Sequence, residues 1–310
     1  MNQNRWSTAT LAPLIWSLAV LLTSLCTSSF AQTENEQTKR VIVCSTTQIA
    51  DFTRQIVGDR WEVVCVLAPG EDPHTYEVGA DDSFSVQRAD LCIENGWNLE
   101  GHGWMANLAR DASKPIVTCV DNIEPLKINE ESAPVNDPHA WFDTKNASTY
   151  VINIRNAISK LDPEHAEEYA ARTELYLIQL RALNHWIQQQ VNAIPKARRI
   201  LVTHHDAFGY FGKAYGFKAI SPVGWTTGEL SGVSVGARQE IVKQIRDLGV
   251  KSIFVETSIN RETLDGIARE TGISIGGELY SDAMGARGTA GETYIGMMRE
   301  NVLTIVNHLK

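Results

Sequence analysis

Short apolar runs alternate with amphipathic stretches along most of this chain. Runs near 41–44, 61–67, 90–94 and 115–119 read as strands, and segments such as IADFTRQIVG (49–58) and SFSVQRA (83–89) carry helical spacing between them. The rhythm returns near 199–203, 217–221, 251–256 and 273–279. Such alternation predicts parallel sheets covered by helices on both faces. The stretch between the halves differs. Over 161–195, Asp162 stands as N-cap and Pro163 at the first helical position; Tyr169, Leu175, Leu180, Leu183 and Ile187 recur at helical spacing until Pro195. Roughly 31 residues of helix would span about 46 Å, enough for a stiff spine along both halves. A shorter helix is expected over 144–160.

The halves echo each other. VIVCSTTQIADF (41–52) and RILVTHHDAF (199–208) both read as strand, Thr-rich turn and aromatic-bearing helix start. The expected fold is α/β: two similar parallel-sheet lobes joined by one long rigid helix, with the ligand cleft between lobes. The boundaries are an N-terminal lobe over 32–160, the spine over 161–195 and a C-terminal lobe over 196–310. Ligands in open α/β sheets gather beyond the carboxyl ends of strands, so facing lobes would enclose them.

The first 31 residues stand apart. Arg5 is their only charge, LAPLIWSLAVLL (11–22) is an apolar core, and SFA (29–31) offers small residues before a cleavage site. This is the pattern of a secretory signal peptide cleaved after Ala31, with export to the periplasm. Leu25 is bulky where a lipobox before Cys26 wants a small residue, so a lipid anchor there is not expected. Removal of the leader takes the formal net charge from −9 to −10. An acidic surface disfavours nucleic acid and suits attraction of cations. Cys44, Cys65, Cys92 and Cys119 remain, each in a β-like run and none in CxxC spacing. Buried free thiols are expected, because neighbours on parallel strands rarely meet disulfide geometry.

Candidate chemistry begins with two related octapeptides, EDPHTYEV (71–78) and NDPHAWFD (136–143). Each places a histidine, His74 or His139, after an Asp-Pro pair that reads as stiff loop. LVTHHDAFGYF (201–211) adds His204, His205 and Asp206 in a turn, and GGELYSDAMG (276–285) places Asp282 after the final strand. Imidazoles serve as metal ligands or as acid–base groups, and a lone loop histidine or aspartate is usually a surface or turn residue. His102, His165, His185 and His308 have no such context. Trp141, Phe142, Phe208 and Tyr210 read as core that would also hold His139 and His205 in place.

Taken in this order and spacing, the four segments resemble the metal-binding periplasmic solute-binding proteins of ABC transporters, the TroA/ZnuA-like family. The similarity runs from about Val41 to the C-terminus. The resemblance implies metal ligation by His74 and His139 from one lobe and by His205 and Asp282 from the other. His205 directly precedes Asp-Ala-Phe and matches the family ligand, so His204 would point elsewhere. It also implies a monomer that delivers its metal to a membrane permease, with only small lobe movements about the spine.

Three imidazoles and one carboxylate suit four-coordinate Zn²⁺, whereas a bidentate Asp would suit Mn²⁺ or Fe²⁺. Members that favour manganese tend to carry Glu where this chain has His205. However, the His-rich loop of many zinc members is absent, since 124–136 holds no histidine. Zinc is therefore favoured, with manganese next. Asp72, Asp137 and Asp206 could orient imidazole N–H groups or simply form turns. Glu256 and Glu278 end strands near the cleft and are not placed as ligands. The rival classes are a metallohydrolase and a metal-dependent surface adhesin. Four protein ligands would close the shell that catalytic zinc leaves open, and no HExxH motif appears, so an enzyme is not expected.

Overall fold

The computed structural model describes residues 39–128, 133–222, 224 and 235–310. The leader read as a signal peptide (1–31) lies outside the described residues. The N-terminal lobe comprises β1 (Arg40–Cys44), α1 (Thr47–Val57), β2 (Trp61–Cys65), α2 (Ala80–Arg88), β3 (Leu91–Glu94), α3 (Trp104–Asp111) and β4 (Ile116–Thr118). The four strands form one parallel sheet in the order β2-β1-β3-β4. Val41–Cys44 are all buried, as a central strand covered on both faces requires. A short antiparallel pair, β5 (Lys127–Ile128) with β6 (Val135–Asn136), follows before α4 (Thr144–Leu161). These two-residue strands are too short to show a period in sequence.

The spine is α5 (Ala166–Val191), 26 residues or about 39 Å. It is shorter than the expected run over 161–195, because Pro163–His165 form a separate 3₁₀ turn. Asp162 holds the cap position of that turn without a capping bond. Its carboxylate instead accepts from Tyr169 Oη and lies 2.9 Å from His165 Nδ1. Leu175 lies on the solvent side of α5, and Tyr176 and Leu177 turn inward.

The C-terminal lobe comprises β7 (Ile200–Val202), α6 (Gly209–Tyr215), β8 (Lys218–Ile220), α7 (Val235–Asp247), β9 (Ser252–Glu256), α8 (Glu262–Thr271), β10 (Ser274–Leu279) and α9 (Tyr294–Leu309). Parallel pairs β7–β8 and β9–β10 sit side by side through β7 and β9. The spatial order β8-β7-β9-β10 therefore repeats the winding of the first lobe, as the local echo predicted. Cys44, Cys65, Cys92 and Cys119, among the described residues, are free thiols. Cys44 faces Cys65 in register on β1 and β2, and burial pushes the Cys44 thiol up to about 12.

One buried cluster runs from α1 and α4 through α5 to α9, so the lobes share a core. Phe52 of α1 packs against Tyr294 of α9 at 4.8 Å between ring centroids and against Tyr176 of the spine at 6.2 Å. Hydrogen bonds cross at the same place. Asp51 Oδ2 accepts from Tyr294 N at 2.9 Å, and Tyr294 Oη donates to Trp141 O at 2.6 Å. Nearby, Met284 N donates to Thr47 Oγ1 at 2.8 Å. A shared core predicts that the lobes unfold together. Phe52→Ala should lower stability by about 3–5 kcal/mol in urea unfolding while keeping a single transition. Two separated transitions in the parent protein would show that the lobes are independent.

Candidate metal centre

Each candidate side chain sits where a strand gives way to a loop. His74 lies between β2 and α2, and His139 follows β6. His205 follows β7, and Asp282 follows β10. The two Asp-Pro-His loops use their aspartates alike at the backbone: Asp72 Oδ1 accepts from His74 N and Asp137 Oδ1 from His139 N, both at 2.9 Å. Glycine lets other chain segments pass close behind them. A Cβ on Gly101 would meet His74 O at 1.9 Å, and one on Gly209 would meet Asp137 Oδ2 at 2.7 Å.

The structure brings His74, His139, His205 and Asp282 together, one donor atom from each lying within 4.8 Å of all the others. All four are buried, His139, His205 and Asp282 completely. His139 Nε2 is central, 3.3 Å from the Nε2 atoms of both His74 and His205 and 3.3 Å from Asp282 Oδ1. Asp282 Oδ2 lies 3.2 Å from His205 Nε2. His204 is buried but outside this group. Trp141 packs beside His139 at 5.4 Å between rings, and Phe142 stacks on Phe208 at 4.4 Å, so the aromatic residues do support both loops.

The far side of two rings meets a carboxylate. His139 Nδ1 is 2.8 Å from Asp137 Oδ1, and His205 Nδ1 is 2.7 Å from Glu256 Oε2. Glu256 Oε1 also accepts from the backbone N–H of His204 and His205, at 2.8 and 3.0 Å. The sequence offers Asp137 as a partner for a ring and places Glu256 near the cleft without that role. The only signal for it was a carboxylate closing a strand beside the cleft.

These contacts orient the lone pairs. An Nδ1–H donated by His139 to Asp137, and a proton held on His205 Nδ1 by the nearby charge of Glu256, leave Nε2 as the acceptor, so the Nε2 atoms of His139 and His205 face each other and Asp282. Acceptors at 3.2–3.3 Å repel unless a cation stands among them. Without a metal, protons must do this work. Burial pulls His139 down, but its bonds to Asp137 and Asp282 outweigh that and carry it to about 9. Burial likewise opposes protonation of His205, and Glu256 with Asp282 overcomes it, holding it well above 6.5. Asp282 is held well below the usual carboxylate range, the charges of His205 and His139 overcoming its desolvation. His74 is dragged down by burial to about 3 and stays neutral.

Two lobes of like winding around a buried set of nitrogen and oxygen donors define the solute-binding class of α/β proteins. The family model described as zinc-uptake complex component A, periplasmic, matches residues 42–308, and the chain belongs to that family. The manganese-binding lipoprotein MntA of Halalkalibacterium halodurans is 36% identical over 269 residues, covering 86% of this chain and 88% of the relative. The zinc-binding protein TroA of Treponema pallidum is 35% identical over 276 residues, with the same coverage of 86% and 88%. The solved structure of periplasmic TroA from Treponema pallidum superimposes with a TM-score of 0.82 at 34% identity, covering 87% of this chain and 99% of that one.

The two aspartates that precede the loop histidines should differ in weight. Asp137 is buried and serves both the backbone and the ring of His139, so Asp137→Ala should cost about 1–3 kcal/mol in urea unfolding of chelator-treated protein. Asp72 is half-buried, and Asp72→Ala should cost less. Equal costs would contradict the role given to Asp137.

Proposed function

We propose that this protein captures a divalent transition metal outside the cytoplasm and delivers it to an ABC-transporter permease, with His74, His139, His205 and Asp282 as ligands. The observation that carries this reading is the convergence of imidazole lone pairs on a fully buried carboxylate. Both oxygens of Asp282 are buried with no hydrogen-bond donor beyond the imidazoles among the described residues. A dication satisfies all of them at once. The relatives support the same reading, since one is named for manganese, another for zinc, and others as metal ABC transporter substrate-binding lipoproteins.

Zinc is the preferred ion on the donor set, because three imidazoles with one carboxylate favour it and divalent affinity follows the same order. Manganese is the second reading. It is favoured by the way Asp282 turns one oxygen to His139 and the other to His205, an orientation open to bidentate binding. Direct competition between Zn²⁺ and Mn²⁺ on chelator-stripped protein separates the two. A metallohydrolase is disfavoured because four protein donors fill a tetrahedral shell. The protein is read as exported with residues 1–31 removed. Relatives named as lipoproteins withdraw support from excluding a lipid at Cys26, and the intact mass of the mature protein distinguishes cleavage after Ala31 from a lipidated Cys26.

Two outcomes are expected in solution. His139→Ala should lower metal affinity by at least about 100-fold in calorimetry, since it removes the central donor and exposes Asp282 to no replacement. Binding should also expel protons. Ligation needs neutral imidazoles, and His139 holds its proton up to about 9, so affinity should fall as pH drops below that value. The fall should be about tenfold per pH unit for each proton displaced. Affinity that stays flat from pH 8.5 to about 6 would sink the three-histidine assignment.

A further inference from the structure

The backbone carbonyls just before His74 and His139 are both held by one segment, residues 95–104, which runs from the end of β3 into α3. None of its residues belongs to the four clustered side chains. Pro138 O accepts from Asn95 Nδ2 at 2.9 Å. Pro73 O accepts from Gly101 N at 3.2 Å and from Trp104 Nε1 at 3.0 Å. His74 and His139 stand 65 positions apart in the chain, yet their Nε2 atoms lie 3.3 Å from each other. A shift within 95–104 therefore changes the separation of the two rings.

The segment needs holding in its turn. Trp97, Asn98 and His102 have left-handed backbones at φ 50°, 63° and 57°, a region that is costly outside glycine and persists only where surrounding bonds enforce it. Glu100 supplies such bonds from inside the turn. It is buried, and its Oε1 accepts from Ser45 Oγ at 2.6 Å and from Asn95 N at 2.7 Å, while Oε2 accepts from Gly96 N at 3.2 Å. Burial pushes its carboxyl up, and these donors oppose that. Ser45 directly follows β1, so the carboxylate ties the segment to the centre of the sheet. Asn95 is aimed by Tyr150 of α4, whose Oη donates to Asn95 Oδ1 at 2.6 Å and leaves Nδ2 for Pro138 O.

We propose that Glu100 is a positioning residue for the metal centre, fixing through Asn95 and Gly101 the separation of His74 and His139. The proposal rests on the capture-and-delivery reading and its ligand set. The test reads Zn²⁺ affinity in calorimetry, the visible ligand-field spectrum of the Co²⁺-loaded protein, and urea unfolding after chelator treatment. Glu100→Ala and Asn95→Ala should each lower Zn²⁺ affinity at least about tenfold and alter the Co²⁺ spectrum. Glu100→Gln keeps an oxygen for Ser45 Oγ and Asn95 N, and should recover part of the affinity. Both residues act through one segment, so the double variant should lose less than the product of the single losses. Ile267→Ala, in the separate core cluster of the C-terminal lobe, should destabilise the fold and leave affinity and spectrum at the parent values. Parent affinity and spectrum in Glu100→Ala and Asn95→Ala overturn the positioning role. So does a loss of affinity in Ile267→Ala equal to that in Glu100→Ala, which would make affinity a reflection of stability alone. If Glu100→Ala does not fold, Asn95→Ala decides by the same readouts. A parent protein that binds neither Zn²⁺ nor Co²⁺ overturns the capture reading itself.

Discussion

A carboxylate with no access to water must be neutralised where it stands, and among the described residues Asp282 meets imidazoles alone. It is fully buried, and its two oxygens face His139 and His205 at 3.3 and 3.2 Å. An unpaired buried charge would cost several kcal/mol, so the arrangement holds only while cations, protons or a metal, sit between these groups. Asp137 and Glu256 extend the constraint outward, since each fixes one ring by its Nδ1. The cluster is thus short of positive charge by construction, which is the condition under which a dication would be held there.

Such a cluster needs a seam that does not leak. The four clustered side chains come from both lobes, and the lobes meet through a common core. Phe52 and Tyr294 pack across it, and Asp51 accepts the first N–H of α9, so a carboxylate of one lobe caps a helix of the other. Tyr294 then reaches Trp141, the residue that packs beside His139. Rigidity at the hinge side and precision at the metal side are therefore parts of one packed network.

Much of this was legible in the sequence because it is local. Strand runs such as VIVC and SIFVE are near-continuous apolar segments, and every expected strand is present within a few residues. The Asp-Pro-His pairs announce themselves because proline and an Asx turn act over two or three residues. What escaped was nonlocal. Glu256 reaches His205 across 51 positions, and nothing near Glu256 in sequence marks that partner. Asp72 and Asp137 share the same neighbours in sequence, yet Asp137 is buried and engages a ring while Asp72 also bonds Thr75. The spine does begin at Pro163 with Asp162 before it, but its first turn is 3₁₀ for a related reason. Asp162 and Pro163 are the right residues for a helix start, but Asp162 spends its carboxylate on Tyr169 and His165, and a 3₁₀ turn intervenes.

The donor set bears on the choice of metal, whereas the surrounding carboxylates do not. Three nitrogens favour the softer, later ion, and this alone points to zinc. The carboxylates behind His139 and His205 make those rings more basic, which strengthens any dication but does not discriminate by size. On the proposed ligand set, discrimination would then fall to Asp282, the one member able to change its denticity. Its backbone follows β10, whose pairing with β9 holds Glu256 alongside Leu279, so the orientation of Asp282 and the anchor of His205 are set by the same pair of strands. A change of denticity at Asp282 would have to move against Glu256 and His205 together. On the proposed ligand set, a preference between ions would be set in the C-terminal lobe, which supplies Asp282 and the carboxylate behind His205.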